Sequence, residues 1–302
     1  MGNCLNNQLK AKVNNSNLPF LDKIVFTAKS VAQKENPLIL VKALTTPITL
    51  TTEVAHLHDS NPSGVAVKSI TVPANGTRYI FLDKADYTIL MDNKYADVNL
   101  LSFGQSLSVN INDFAYKKIS EINGENSGSI GDISAFVAQN SLLTTLQLQN
   151  NNGITGDSSV FINHPNASNI TEVRLHYTSV TGNIENFSDL VALETLLVYG
   201  SNISGAIENL VNIWVNTKQR ATPSTPLNVY GILKACSFGT QSPISSTQYH
   251  WLTWDNTDGL KIILYTGASS YTDCPTVYCM GYTDQAAAEA AFPGKTVIRV
   301  DA

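Results

Sequence analysis

The run HLHD, with His56, His58 and Asp59, holds the residues whose types and spacing come nearest to metal chemistry in this 302-residue chain. Two imidazoles two positions apart on a strand point to one face and can share a metal ion. Asp59 follows His58 directly, however, and no further histidine comes close behind, so the run reads as a solvated turn. The run WDNTDG has the flavour of a calcium loop, but counting back from Gly259 puts Trp254 where the first ligand must be an aspartate. The four cysteines stand at positions 4, 236, 274 and 279, without a Cys-x-x-Cys pair and without a histidine near Cys274 and Cys279 to complete a zinc set. They read as small buried hydrophobes in a reducing cell. There is no Gly-x-Ser-x-Gly, phosphate loop or dinucleotide fingerprint, and carboxylate pairs drawn from 24 acidic residues mean nothing without a pocket. These residues point to no catalytic set, no metal and no cofactor, and so to a protein that is not an enzyme.

Composition narrows the partners. Only 14% of the residues are charged, against about 25% in an ordinary soluble domain, and Asn, Ser and Thr fill the missing polar share. A formal net charge of −5 with 19 basic residues leaves no basic stripe for a nucleic acid. No segment approaches the roughly 18 consecutive apolar residues of a membrane span. The opening MGNCLNNQLKAKVNN has no apolar run before a small-residue cleavage site, and Asn6 stands where a myristoylation signal needs Ser or Thr. The expectation is a product without a signal peptide, made in a host cytoplasm and partnered by neither nucleic acid nor membrane.

Any binding residues must be positioned by a repeat. GDISAF, GDSSVF, GNIENF and GAIENL begin at Gly131, Gly156, Gly182 and Gly205, 25, 26 and 23 residues apart, each with Phe or Leu five residues after the glycine. Upstream of the last three stand LTTLQLQNNNGITG, ITEVRLHYTSVTG and LETLLVYGSNISG. Such self-similarity is the mark of stacked units that cannot bury an apolar face alone. The pattern resembles the leucine-rich repeat in its variant with a Gly-x-Ile tail. In each unit a short strand turns alternate apolar residues inward. Asn151, Thr178 and Ser201 then hold the position whose side chain bonds the backbone of the following turn. PLNVYG and KIILYTG suggest two further, lengthened units, with Leu227, Val229, Ile262 and Leu264 inward. SSTQYHWLTWDN reads as a helix between them, with Trp251 and Trp254 sharing one buried face. Asp284 before QAAAEAAF starts a capping helix, stopped by Pro293-Gly294 and followed by a last strand, KTVIRV.

The outward residues of these strands form columns: Thr145, Glu172 and Thr195; Gln147, Arg174 and Leu197; Gln149, His176 and Tyr199. Tyr230 and Tyr265 would extend the last one. The candidate binding residues are therefore Gln147, Gln149, Arg174, His176, Leu197, Tyr199, Tyr230 and Tyr265, a stacking platform for a sugar or a protein, or else aromatics that simply pack across strands.

Before residue 115 the chain differs in kind. KIVFTA, LILVKAL, ITLTTEV, KSITV, TRYIFL and DYTILM are short and β-branched, and Asn75-Gly76 offers a two-residue hairpin turn. The arm and first strand, CLNNQLKAKVNNSNLPFLDKIVFTA, followed by a β domain and the Thr/Ser-Gly-[Asp/Asn]-Ile repeats, are similar to virion proteins of crAss-like tailed phages of gut Bacteroidota. That resemblance implies a head fibre or capsid decoration protein, anchored to capsid or other virion proteins near its N-terminus and displaying its repeats outward.

The fold expected is mixed β with an α/β solenoid: an arm at 1–20, an antiparallel β-sandwich at 21–115, and a leucine-rich-repeat-like solenoid with a C-terminal cap at 116–302. The function expected is a non-enzymatic virion component, a homo-oligomer located in the virion, with a host-surface glycan as a candidate ligand. A bacterial surface adhesin and a virion-displayed glycan-active enzyme are the rival readings.

Overall fold

The computed structural model describes residues 23–28, 39–43, 47–52, 57–59, 65–82, 88–92, 98–103, 107–114, 118–229, 236–238 and 250–300. The expected arm at 1–20, Cys4, His56 and Tyr230 lie outside the described residues. The first strands are β1 (Lys23–Ala28), β2 (Ile39–Ala43), β3 (Ile48–Thr51), β4 (Leu57–Asp59), β5 (Ser69–Val72), β6 (Thr77–Leu82), β7 (Thr88–Asp92), β8 (Val98–Phe103) and β9 (Leu107–Ser108). Shorter ones follow: β10 (Glu121–Asn123), β11 (Ile130–Asp132), β12 (Thr145–Gln147), β13 (Gly153–Thr155), β14 (Glu172–Arg174), β15 (Thr181–Asn183), β16 (Thr195–Leu197) and β17 (Asn202–Ala206). The last are β18 (Leu227–Asn228), β19 (Cys236–Ser237), β20 (His250–Asp255), β21 (Lys261–Thr266), β22 (Thr276–Met280) and β23 (Thr296–Arg299). The α-helices among the described residues are α1 (Ile133–Gln139), α2 (Ile207–Asn216) and α3 (Gln285–Ala291).

Alternating sequence makes the early strands. In β3 and β5 the residues Ile48, Leu50, Ile70 and Val72 turn inward, while Thr49 and Thr71 face out with their hydroxyls 3.2 Å apart. These strands belong to a five-stranded antiparallel sheet ordered β5-β3-β7-β1-β9. A thirteen-stranded sheet holds the rest of the main structure, ordered β23-β22-β21-β20-β18-β16-β14-β12-β10-β8-β2-β6-β4. It is mixed: parallel from β8 to β18 and between β22 and β23, antiparallel elsewhere.

This corrects the expected fold class. An antiparallel β-sandwich followed by a separate leucine-rich-repeat-like solenoid is not what forms. The chain is mostly β and is organised on one large mixed sheet that crosses the expected boundary, with Leu101 of β8 beside Ile122 of β10. The reason lies at the edges. A run of parallel strands ends in two rows of unpaired backbone groups, which must be covered or blunted. Here β2, β6 and β4 continue one edge and β20, β21 and β22 the other, all in antiparallel pairing.

Three local expectations change with it. Asn75-Gly76 makes a turn, with Asn75 at φ 57° and Gly76 N donating to Pro73 O at 2.8 Å, but β5 and β6 on either side belong to different sheets, so no hairpin forms. The described part of the expected SSTQYHWLTWDN helix is strand β20, where His250, Leu252 and Trp254 are buried and Trp251, Thr253 and Asp255 half-buried. Trp251 and Trp254 therefore stand on opposite faces. Ile262 and Leu264 are buried, but β21 lies antiparallel between β20 and β22 and starts no further parallel unit.

Between β10 and β18 the sheet-side core is built from Ile122, Leu146, Val173, Leu196 and Leu227, and the opposite wall from Phe136, Phe161, Phe187 and Leu210. Phe161 and Phe187 have ring centroids 5.1 Å apart. Burying each such side chain contributes roughly 1.5–3 kcal/mol. One apolar cluster runs from Ile48 to Val300, and a second, small one sits under α3.

The repeat glycines lie in a second ladder, Gly131 beside Ile154 and Gly182 beside Ile203. Gly156, at φ 111°, shows why the position takes no side chain: a Cβ there would stand 2.2 Å from Asp132 Oδ1. That carboxylate accepts from Ser134 N at 2.7 Å and caps α1. Gly205 likewise fits against the capping amide of Asn183, whereas Gly182 faces Ser158 Oγ and Gly131 faces Asn112 Oδ1.

Candidate functional site

The outward columns are formed by strand register. Thr145, Glu172 and Thr195 are cross-strand neighbours, and so are Gln147, Arg174 and Leu197. Past the strand ends the ladder continues through Asn126 N to Gln149 O (3.1 Å), Asn150 N to His176 O (2.9 Å) and Tyr177 N to Tyr199 O (3.0 Å). Those bonds put Glu125, Gln149, His176 and Tyr199 in one row.

Immediately after the row every unit turns through a left-handed residue: Asn126, Asn150, Tyr177 and Gly200, at φ 52°, 59°, 52° and 66°. Asparagine and glycine adopt that conformation readily, whereas Tyr177 bears a strain of roughly 1–3 kcal/mol. Its ring lies edge-on to Tyr199 at 5.1 Å and to His176 at 6.0 Å. The next polar position ties the turn to the strand. Buried Asn151 donates to Gly124 O, Leu148 O and Gln149 O and accepts from Ser127 Oγ and Ser129 N. Thr178 Oγ1 donates to Leu175 O at 2.6 Å, and Ser201 Oγ donates to Val198 O.

Where the rows cross β16 the surface sinks into a depression of about 260 Å³, lined by Glu125, Gln149, Arg174, His176, Leu197, Tyr199 and Asn228. Five of the eight expected binding residues meet here: Gln149, Arg174, His176, Leu197 and Tyr199. Gln147 lies in the adjoining row on β12, outside the lining. Tyr265 belongs elsewhere and is corrected: its register partner is Trp251, which places it in the row of Asn228 and Thr195, and its ring packs edge-on to Phe292 at 6.1 Å. The antiparallel return of β20 and β21 removes it from the His176–Tyr199 row.

Sequence reasoning misses Glu125 and Asn228. A signal for Glu125 exists, because ISEINGENSGSIG follows the same course as LTTLQLQNNNGITG with one residue fewer in the turn. Asn228 offers none beyond its place after Leu227.

Several residues of the depression are buried, and its arginine is paired. Gln149 is 1% exposed, His176 8% and Leu197 6%. Arg174 Nε pairs with Glu172 Oε1, and Glu125 Oε1 accepts from Asn126 Nδ2 at 3.0 Å. His176 stacks on Tyr199 with centroids 4.4 Å apart and planes 11° from parallel. Burial, helped by the Arg174 charge, pulls the His176 imidazolium down to about 4, so the ring is neutral at physiological pH. Gln149 Oε1 and His176 Nδ1 are buried without a hydrogen-bond partner. Each such atom costs about 1–3 kcal/mol when nothing satisfies it.

The other chemistry considered in the sequence is not assembled. Asp59 pairs with Arg78 at 3.3 Å. Asp255 Oδ1 accepts from Thr257 N and Oγ1, closing the WDNTDG turn on itself. Among the described residues no three His, Cys, Asp or Glu side chains come together as a metal site. Cys236 and Cys279 are buried, and that burial pushes their thiols up to about 12 and about 11, which makes them poor nucleophiles. No helix among the described residues is long and apolar enough to cross a membrane. No family model, no curated protein and no solved structure matches the chain.

Proposed function

We propose that the chain is a non-enzymatic structural and display protein of a tailed-phage virion, a head fibre or capsid decoration protein, which presents the outer face of its parallel strands to a ligand. The observation that carries the binding half of this reading is the depression at β16, where orphaned polar atoms and stacked rings meet on a face ordered by backbone ladders from β10 to β18. A surface fixed by consecutive ladders holds its side chains in place without an ordering cost at each binding event. The likeness of the N-terminal segment and repeats to phage virion proteins supports the other half, with attachment to capsid proteins through residues near the N-terminus and assembly of several copies for avidity.

Mass spectrometry of purified particles tests it. The chain is expected among the virion proteins, and its absence from particles made by a host that expresses it ends the reading. Removal of residues 1–20 should abolish incorporation while the remaining chain stays folded.

A further inference from the structure

Two acceptor atoms without partners, on side chains more than nine-tenths buried, line the same depression, and native proteins leave few such atoms unsatisfied unless something else completes them. We propose that the depression is the subsite for one ring of a neutral glycan, whose hydroxyls bond Gln149 Oε1 and His176 Nδ1, and that the chain continues past Asn228 into the neighbouring groove. This rests on the display reading and names the ligand of that same face.

The chemistry selects the class. A hydroxyl donates and accepts, so it satisfies the Gln149 amide in either orientation and the His176 ring in either tautomer. A carboxylate or phosphate brings a negative charge against the Glu125 carboxylate in the lining. An ammonium donates but cannot accept, and it brings a positive charge beside the Arg174 guanidinium in the same lining. The neutral, stacked His176–Tyr199 pair, edged by Tyr177, offers a flat aromatic wall, and Leu197 offers apolar surface beside it. A volume of about 260 Å³ is near the lower end of small-molecule sites, which suits one sugar ring rather than a longer ligand.

A second feature sets the length. Asn228 also lines an open groove of about 640 Å³ that runs between Glu194, Thr222, Pro226 and Trp251. The cation in that groove, Arg220, is committed: it donates to Leu190 O and Leu193 O and lies over the Trp214 ring at 4.3 Å. A chain leaving the depression at Asn228 therefore enters a groove walled by hydroxyls, prolines and an indole.

The test uses the full chain on an array of neutral and acidic polysaccharides, then calorimetry with neutral oligosaccharides of one to six residues. Neutral glycans should bind, acidic ones should not, and affinity should rise with length up to the number of rings the groove accepts. Gln149→Met and His176→Phe keep volume and stacking but remove the unpaired polar atoms, and each should weaken binding about tenfold or more without lowering the melting temperature. Should either variant fail to fold, the wild-type chain still decides: a bound neutral oligosaccharide must shift the His176 ring resonances. Failure of every neutral glycan to bind the folded protein, preference for acidic ones, or wild-type affinity in both variants overturns the proposal. Tight binding of a free monosaccharide with no gain from length overturns the groove and leaves the ring subsite. A chain found in particles but blind to glycans sinks this inference alone, while glycan binding by a chain absent from particles sinks the virion reading alone.

Discussion

Over β10 to β16 the outer face of the large sheet carries Glu172, Arg174, Gln147 and Gln149, whereas over β20 to β23 the same face carries Ile263, Val277, Cys279 and Val297. The register links the two directly, from Thr195 through Asn228, Trp251 and Tyr265 to Val277. What changes is the cover. At the C-terminal end α3 lays Ala288 and Phe292 on this face and closes a small apolar core. Among the described residues no helix of that kind caps the depression, yet Gln149 is as deeply buried as a core leucine. Burial without a partner is ordinary for Val277 and costly for Gln149, since only the amide leaves a hydrogen bond unmade. One face, read at two places, thus separates a packing surface from a surface built to be completed by something else.

The comparison breaks most severely at Asn151, whose side chain holds the parallel half together at a position the covered half lacks. Asn151→Ala leaves Leu148 O without its partner and takes one of the bonds from each of Gly124 O, Gln149 O, Ser127 Oγ and Ser129 N, and should lower the unfolding free energy by about 3–5 kcal/mol in a denaturant titration. Thr178→Val, which frees one carbonyl, should lose only about 1 kcal/mol.

A paired glycine experiment sharpens it further. At Gly182, φ 123°, a Cβ would stand 2.0 Å from Ser158 Oγ, while at Gly294, φ 81°, a Cβ would meet nothing within 4 Å. Gly182→Ala should destabilise by about 2–4 kcal/mol through backbone strain plus collision. Gly294→Ala bears the strain alone, about 1 kcal/mol. Equal melting temperatures for the two variants would show that the caps between units do not govern stability.

The two halves should also differ in their dependence on pH. The His176 ring goes from an ordinary value of 6.5 to about 4 on folding, mainly by burial. Between those values the unfolded chain binds a proton that the folded one refuses, so stability is complete above pH 6.5, falls as the pH drops toward 4, and levels off below. The loss is at most about 3 kcal/mol, and less where water screens the ring. Burial shifts His164 in the same direction and adds to the slope. His176→Phe should flatten most of it in melts taken from pH 4 to pH 7.

How much was legible can be followed residue by residue. Gln149, Arg174, His176, Leu197 and Tyr199 come together because period-2 alternation within each unit and a near-constant spacing between units put them on one face in one register. Glu125 shares that logic and is missed because Gly124 stands where the other units carry the second inward residue, Leu148, Leu175 or Val198. Tyr265 fails for a different reason: KIILYTG resembles the earlier strands in composition, and composition does not tell a parallel strand from an antiparallel one. Trp251 and Trp254 mislead because three positions apart suits a helix face as well as two opposite faces of a strand, and the choice was made by pairing with β18 and β21. Asn75-Gly76 is a turn by local chemistry, yet the destination of the strands on either side is not a local property.

By itself the sequence determined the repeating unit: its short strands, which residues face outward, which polar side chain (Asn151, Thr178 or Ser201) bonds the turn, and where glycine lets the chain bend back. These are consequences of neighbouring residues acting over a few bonds. Only the tertiary structure decided that the parallel strands would be continued at both edges by antiparallel ones, that α3 would cover one end of the outer face, and that Gln149 Oε1 and His176 Nδ1 would be buried at the other without a partner. Edge pairing and coverage join residues far apart in the chain, and the free energy that settles them resides in contacts that no local pattern encodes.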